Sequence, residues 1–319
     1  MGYPVMPEGA HDLAVLDLGS NSLRMNVIRV DADRTASVLA CYKRMVRLGE
    51  GAFESGSLQA GPMRRTLDAL EEFAEHCRAR GVERHAAYAT SAMRDAANGT
   101  EFAEEIRRRT GFGFRIISGE EEARLIGLGV SSSMPSLEGS RMIVDVGGGS
   151  TEIVVMQERR ALEAVSLKAG AVRMAEMLPG GTGPVPRDTY ESLKARIRSD
   201  AEDVLKRMLR HGPVEMVGSS GSARCLTRME QAFRGSEEGP GGAGLLTLAG
   251  LRKAAEALCG LDEASRAALP GMNAKRSGII IPGAAILEVL MEESGFSAMR
   301  FSEKGLREGI VADYLGNCR

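Results

Sequence analysis

Two short segments of the sequence combine an aspartate, glycines and small polar side chains between apolar stretches. In each segment an apolar run ends at an aspartate, Asp17 or Asp145, and a turn of small residues follows before a second apolar run. Small residues allow a tight turn whose backbone N–H groups face one anion, because bulky side chains would block its approach. A carboxylate before such a turn is a hard oxygen ligand that suits Mg²⁺. The pattern predicts a phosphate cradle beside a magnesium site, although one such turn alone is more typical of an ordinary hairpin.

The two segments form an internal repeat. AVLDLGSNSLRMNVI at 14–28 can be laid over MIVDVGGGSTEIVV at 142–155, and Asp145 lies 128 positions after Asp17. That separation is about one domain length, so duplication of one domain is the economical explanation. The repetition favours the functional interpretation: two hairpins that face one another would clamp a metal-bound polyanion.

Other polar residues near predicted strand ends are candidates with ordinary alternatives. Gly218, Ser219, Ser220 and Gly221 form a third small-residue turn after a predicted strand, although Gly-Ser turns are common in loops. Glu152 follows the second turn and is a candidate metal ligand or a solvated strand carboxylate. Arg94 is a candidate phosphate ligand or a surface arginine.

Three consecutive acids, Glu120, Glu121 and Glu122, stand at the start of a predicted helix. The helix dipole favours acids there and accounts for at least two of them. The third is a candidate for the general base that orients a water molecule toward a terminal phosphoryl group.

The elements that carry these residues alternate between strands and helices, which predicts α/β layers. Strands are predicted at 14–17, 25–30, 85–89, 114–117, 142–145, 153–156 and 214–217, with helices at 63–80, 101–109, 121–129 and 189–210. The stretch 131–140, SSSMPSLEGS, has the composition of a linker. We therefore predict an N-terminal domain at 10–132, with a C-terminal helix at 304–319 as a candidate for completing it, and a C-terminal domain at 133–303. The glycine-rich stretch 235–244 is predicted to be a surface loop.

Composition excludes several classes of function. The 41 basic and 43 acidic residues nearly balance, which argues against binding nucleic acid or membrane through a net basic field. The five scattered cysteines indicate neither a disulfide framework nor a zinc site, and no signal peptide or transmembrane run is evident, so we expect a cytoplasmic protein. The sequence contains no P-loop, no Rossmann glycine motif and no G-x-S-x-G nucleophile elbow.

Eight motifs, spread over about residues 13 to 312, resemble in order those of the exopolyphosphatase / guanosine pentaphosphate phosphohydrolase (Ppx/GppA) family. They are LDLGSNSLRMNV, YATSAMRDA, IISGEEEARLIGLGV, IVDVGGGSTEIVV, KAGAVRM, GSSGSARCL, RSGIIIPGAAIL and SEKGLREGIV. The resemblance implies duplicated ribonuclease-H-like domains of the actin/Hsp70/sugar-kinase superfamily, with an interdomain cleft. The sequence resembles the short members of the family, which lack additional C-terminal helical domains.

The resemblance also implies roles for individual residues. Glu122 stands at the position of the catalytic base, and Asp17, Asp145 and Glu152 at those of metal-associated acids, with Mg²⁺ as the ion and Mn²⁺ as an alternative. The implied phosphate-binding residues are Gly19, Ser20, Asn21, Ser22, Arg94, Gly147, Gly148, Ser150 and Thr151, to which the third turn adds Gly218 and Ser219.

The resulting prediction is an exopolyphosphatase that removes terminal phosphates from inorganic polyphosphate by magnesium-assisted in-line attack of water. Within the family the alternative is hydrolysis of guanosine pentaphosphate (pppGpp) to ppGpp, because both substrates present the same terminal phosphoanhydride. Rivals of other classes are a kinase of the same superfamily and a non-catalytic alarmone or polyphosphate sensor. Closure of the two domains over substrate is also expected, and a homodimer is a candidate assembly.

Overall fold

A computed structural model describes residues 9–178, 182–235 and 244–316. The strands of its first half are β1 (His11–Leu18), β2 (Leu23–Val30), β3 (Ala36–Arg44), β4 (Arg84–Ala89) and β5 (Phe114–Ile116). The helices are α1 (Ala52–Ser55), α2 (Ala60–Ala79), α3 (Ser91–Asp95), α4 (Gly99–Thr110) and α5 (Gly119–Ser131).

These strands form a mixed sheet in the order β3-β2-β1-β4-β5. The first three are antiparallel neighbours, and β4 and β5 continue the sheet in parallel with β1. Side chains of β1 alternate between two cores, because successive residues of a strand point to opposite faces. Ala14, Leu16 and Leu18 pack with α2 and α4, whereas Leu13 and Val15 pack on the other face.

The second half begins with β6 (Ser140–Val146), β7 (Thr151–Gln157), β8 (Arg160–Leu167), α6 (Ala171–Glu176) and α7 (Arg187–Leu209). It continues with β9 (Pro213–Ser219), α8 (Ser220–Phe233), β10 (Leu245–Thr247), α9 (Leu248–Cys259) and α10 (Glu263–Ala267). A 3₁₀ turn (Ala274–Arg276), α11 (Ile280–Ser294), β11 (Ala298–Phe301) and α12 (Leu306–Gly316) complete it.

The second sheet repeats the topology of the first. Its order is β10-β11-β9-β6-β7-β8, in which β6, β7 and β8 are antiparallel and β9 and β11 extend the sheet in parallel. The order β8-β7-β6-β9-β11 of the second sheet corresponds to the order β3-β2-β1-β4-β5 of the first. Strand β10 is an additional edge strand beside β11. The duplicated α/β fold expected from the sequence repeat is confirmed.

Helices α5 and α12 pack closely together beside the first sheet. Gly309 of α12 lies so near α5 that a Cβ atom there would be 1.7 Å from the Leu125 carbonyl oxygen. Ile310 and Tyr314 of α12 join the core on the Leu13 face of β1. The C-terminal helix therefore returns to the first sheet and lies against the helix that carries Glu122.

The predicted strands and helices occur within three residues of their expected bounds. The elements that were not predicted are β3, β8, β10 and β11 and the helices α1, α3, α6, α8, α9, α10 and α11. The candidate linker 131–140 lies between the end of α5 and the start of β6. The predicted loop 235–244 lies outside the described residues except at its two ends. In the described part of the chain, no helix combines the length and apolar character that crossing a bilayer would require.

Candidate active site

The two small-residue turns have the same backbone geometry and lie against each other. In the first turn (19–22) the Gly19 N–H donates to the Ser22 carbonyl at 3.1 Å, and in the second turn (147–150) Gly147 donates to Ser150 at 2.9 Å. A Cβ atom on Gly148 would be 2.8 Å from the Ser20 Cβ, so the turns touch. The repeat seen in the sequence thus becomes a pair of facing turns between the two sheets.

The first turn carries two polar side chains, those of Ser20 and Asn21, that could contact a ligand. The Ser20 hydroxyl hydrogen-bonds the Ser91 hydroxyl at 2.9 Å, which connects the turn to the start of α3. Asn21 Nδ2 is buried without a hydrogen-bond partner among the described residues. An unpartnered buried donor costs free energy, so this amide would be stabilised by an anion that accepts its hydrogen bond.

The third turn contributes Ser219, Ser220 and Gly221 to the lining of the cleft. The register of β6 with β9 places Asp145 beside Ser219, whose hydroxyl donates to the Asp145 carboxylate. Gly218 instead packs against Met299, where a Cβ atom would be 2.5 Å away. Ser219 therefore belongs to the site, and Gly218 lies behind it.

Glu122 is separated from its two acidic neighbours by the geometry of the helix start. The Ser118 hydroxyl caps α5 by accepting from the Glu121 N–H at 3.2 Å. Glu120 is exposed and Glu121 pairs with Arg115, whereas Glu122 is only 6% exposed. One of the three acids is thus turned into the interior.

Arg94 holds Glu122 in place. Its Nη1 atom donates to Glu122 Oε2 at 2.9 Å and to the Ile117 carbonyl oxygen at 3.1 Å. The sequence suggested Arg94 as a phosphate ligand, but its side chain does not line the cleft. Its observed partner is the candidate base.

Glu152 lies opposite Asp145 in the β6–β7 pairing and is almost completely buried. It accepts from the Ser166 hydroxyl at 2.7 Å. Thr151 next to it uses its own hydroxyl to donate to the Ala169 carbonyl, so this hydroxyl is not offered to a ligand. The second turn therefore carries two carboxylates on neighbouring strands.

The acids of the site resist ionisation. Burial raises the pKa of Asp17 and Asp145 above the usual value, and it raises the pKa of Glu152 to about 7. The pKa of Glu122 is raised well above the ordinary range, first by burial and then by the nearby charge of Glu152, while Arg94 opposes the shift. Four carboxyl groups that are costly to ionise are suited to hold a cation or to accept a proton.

Basic side chains that the sequence analysis did not single out converge on the same cleft. They come from β2, β3, α8, the 3₁₀ turn and α12, and they are Arg24, Lys43, Arg224, Arg276 and Arg307. Burial and then repulsion by the four arginines lower the pKa of Lys43 to about 8. Burial likewise lowers the pKa of Arg276 to about 10, and its Nε atom lacks a hydrogen-bond partner among the described residues. Seven basic and five acidic side chains line the cleft, and Arg224 is paired with Glu303 at 3.0 Å. The excess of cations indicates an anionic ligand.

These groups surround one cleft of about 760 Å³. Most of the predicted site residues line it, namely Asp17, Gly19, Ser20, Asn21, Ser22, Glu122, Asp145, Gly147, Gly148, Ser150 and Ser219. Arg94, Thr151, Glu152 and Gly218 lie behind this lining. Arg24, Arg224, Arg276 and Arg307 stand within the motifs of the family resemblance. The sequence alone does not show that they share one site, because they come together only when separate segments fold.

Comparison with known proteins identifies the family. The model of the Ppx/GppA phosphatase family matches residues 27–318. The chain belongs to the Ppx/GppA phosphatase family. Because the match starts within β2, the first turn lies just outside it, and its assignment depends on its geometric likeness to the second turn.

Solved structures of the Ppx/GppA family share the whole architecture. The Aquifex aeolicus family member is 26% identical, with 97% of this chain and 98% of that chain covered and a TM-score of 0.78. An exopolyphosphatase from Cytophaga hutchinsonii is 23% identical, with 97% and 99% covered and a TM-score of 0.89, and at that identity it supports the fold alone. A protein described as exopolyphosphatase-like is 26% identical, with 97% and 98% covered and a TM-score of 0.85.

Proposed function

We propose that this Ppx/GppA family member is an exopolyphosphatase, which hydrolyses the terminal phosphate of inorganic polyphosphate. The observation that carries the proposal is the arrangement of one cleft: five basic side chains face two anion-sized turns, and Glu122 is buried beside them. A linear polyanion would satisfy both the basic side chains and backbone N–H groups of the turns.

Polyphosphate is favoured over pppGpp by the composition of the cleft lining. Basic residues continue beyond the turns with Arg228 and Lys304, whereas only two aromatic residues, Tyr42 and Phe301, occur in the lining. Tyr42 already stacks on His76 with ring centroids 4.4 Å apart, and Phe301 lies against Arg224. Repeating phosphate groups need cations, whereas a guanine base would gain most from a free aromatic face.

The acids around the second turn fit a magnesium ion. Asp145 and Glu152 are hard oxygen ligands on paired strands. Within the described residues, no group of three acidic, histidine or cysteine side chains forms a metal site by itself. That fits Mg²⁺, which takes few protein carboxylates when phosphate oxygens and water supply the other ligands. When bound, the ion would neutralise charge that develops on the phosphate oxygens.

The side chains of this chain would then perform the remaining steps. The turns and the basic side chains hold the terminal phosphoryl group and orient the bridging oxygen away from Glu122. Glu122, kept in position by Arg94, accepts a proton from the attacking water as the water oxygen bonds to phosphorus. The bridging P–O bond breaks, which yields orthophosphate and a chain shorter by one unit.

The test measures phosphate release from long-chain polyphosphate and from pppGpp, with and without Mg²⁺, for the wild type and for Glu122→Gln. Glu120→Gln is the matched control, because Glu120 is exposed at the same helix start. We expect magnesium-dependent release that is faster from polyphosphate, falls by about 10²–10⁴-fold in Glu122→Gln, and stays unchanged in Glu120→Gln. Faster phosphate release from pppGpp would make pppGpp the preferred substrate instead of polyphosphate. No release from either substrate would contradict the proposed hydrolase activity.

A further inference from the structure

A chain of polar contacts leads from the second turn to Glu122 through both halves of the molecule. Arg173 of α6 donates from Nε to the Gly149 carbonyl oxygen at 2.7 Å and forms an ion pair with Asp95. Asp95 Oδ1 lies 3.8 Å from Arg94 Nε, and Arg94 Nη1 lies 2.9 Å from Glu122 Oε2. The contacts therefore join a turn attached to the second sheet with a carboxylate attached to the first.

Arg173 also stacks on an aromatic ring of the first half of the molecule. Its guanidinium carbon lies 4.1 Å from the centroid of the Phe53 ring, which belongs to α1 of the first half. Planar guanidinium groups stack on aromatic faces while they keep their in-plane N–H donors for carboxylates and carbonyls. Arg173 therefore has a defined orientation only when α6 lies against the first half of the molecule.

Asp95 stands between two arginines, and this determines what its loss would do. It faces Arg173 from the second half and Arg94 from its own helix. Arg94 in turn is the cation that contacts the Glu122 carboxylate. Without Asp95, Arg94 keeps its bonds to Ile117 and Glu122 but loses the charge that restrains it from the opposite side. Without Arg173, the Asp95 carboxylate remains but is no longer held in place by its own partner.

We propose that Asp95 and Arg173 are a positioning pair that fixes the Arg94–Glu122 contact when the two halves close on each other. The pair touches neither the reacting water nor the phosphate, so it acts through Glu122. Closure would thereby complete the site: the base reaches its working position only when the second turn arrives with Arg173. This inference rests on the proposed function of Glu122 as general base.

The test compares steady-state phosphate release by the wild type, Asp95→Ala, Arg173→Gln and the double variant. A misplaced catalytic group costs up to about 10²-fold, so we expect kcat to fall about 10- to 100-fold in each single variant, with KM within about 3-fold. Because both residues act through one contact, the double variant should be no slower than the slower single variant. Arg173→Lys, which retains the charge, should recover part of kcat.

Two controls separate positioning from general loss of stability or of closure. Arg196→Gln breaks an ion pair with Asp200 inside α7. Glu176→Gln alters a separate polar contact between α6 and the first half, where Glu176 Oε1 accepts from the Gly51 N–H at 2.8 Å. Both should keep wild-type kcat. A fall in kcat for Glu176→Gln as large as that for Arg173→Gln would overturn the positioning role, as would a raised KM with unchanged kcat in Arg173→Gln or fully additive losses.

Hydrogen–deuterium exchange needs no catalytic turnover, so it tests the positioning pair independently of the proposed exopolyphosphatase activity. Hydrogen–deuterium exchange of the segment 117–125 should be faster in Asp95→Ala and Arg173→Gln than in the wild type and in Arg196→Gln. If the wild type releases no phosphate from any substrate, the proposed function fails, and unchanged exchange in both variants then overturns the positioning pair as well.

Discussion

Arg24 and Glu152 occupy equivalent places in the two halves of the molecule but carry opposite charges. Each stands across a β-hairpin from the aspartate that precedes its turn, Arg24 opposite Asp17 and Glu152 opposite Asp145. The first hairpin thus pairs an acid with a cation, whereas the second pairs two acids. The two hairpins share one backbone arrangement, but the side chains of the first are suited to bind phosphate and those of the second are suited to bind a metal ion.

The charge of Arg24 should contribute to substrate binding rather than to folding. Burial lowers the pKa of Arg24, and Arg307 and Arg224 repel it, although Asp17 attracts it. A hydrogen bond to a charged group contributes roughly 1.5–3 kcal/mol, so Arg24→Gln should raise KM for polyphosphate about 10- to 100-fold. The melting temperature should stay the same or rise. Arg29→Gln, on the same strand but paired with Asp12 at the surface, is the control for both measurements.

An unchanged KM in Arg24→Gln would mean that the basic side chains of the cleft do not contact the polyanion. Because screening weakens such contacts, KM of the wild type should also rise with ionic strength more steeply than KM of Arg24→Gln.

Lys43 should make substrate binding sensitive to alkaline pH. Its pKa is lowered to about 8, so its ammonium group loses its proton as the pH rises from 7 to 9. We expect KM for polyphosphate to increase about 2- to 5-fold over that range, because a neutral amine attracts phosphate less. Lys43→Arg should abolish the increase, since arginine stays charged. A wild-type KM that is flat between pH 7 and 9 would contradict this role.

The sequence located the acids and the turns of this site but not its cations, and the reason is physical. Asp17, Asp145 and the two turns are local patterns, in which a strand, a carboxylate and small residues are contiguous. Arg276 and Arg307 are far apart in the chain and meet at the cleft only through the packing of the 3₁₀ turn and α12.

Arg94 illustrates the same limit at shorter range. Its type suggested a phosphate ligand, but the packing of α3 against the start of α5 gives it Glu122 as a partner. Thr151 likewise has the right chemistry for phosphate, yet its hydroxyl is used by the Ala169 carbonyl. Residue type and local spacing predicted which side chains could act, whereas their tertiary partners determine which ones face the cleft.

Glu152 should make the metal-free protein less stable as the pH rises. Its pKa is raised from 4.5 in the unfolded chain to about 7 in the fold, so there is no cost below pH 4.5 and the full cost is present above pH 7. Glu152→Gln removes an ionisation that costs roughly 3 kcal/mol. It should therefore unfold at a higher temperature than the wild type at pH 8 and at the same temperature near pH 4. Glu138→Gln, at an exposed position, is the control.

The same pair of proteins also tests the metal. Added Mg²⁺ should raise the melting temperature of the wild type at pH 8 and should raise that of Glu152→Gln less, because a ligand stabilises the form that binds it. An equal response in both proteins would remove Glu152 from the candidate metal site.

Gly170 fixes the second turn from behind, and its substitution should damage the site without touching any charged residue. A Cβ atom at this position would lie 2.4 Å from the Gly148 carbonyl oxygen and from backbone atoms of Gly149 and Ser150. Backbone cannot give way as a flexible side chain can, so Gly170→Ala must displace the turn. Overpacking of this kind costs roughly 1–3 kcal/mol, and the displaced N–H groups should lower kcat/KM for polyphosphate by about 10-fold or more.

Gly183→Ala is the matched control for Gly170→Ala, because a Cβ atom there would meet nothing within 4 Å. It should keep wild-type kinetics and melting temperature. Wild-type kcat/KM in Gly170→Ala would show that the second turn can shift without loss of function, and the proposed contact between its N–H groups and the phosphoryl group would then be wrong. A lower melting temperature with unchanged kcat/KM would limit Gly170 to a role in packing.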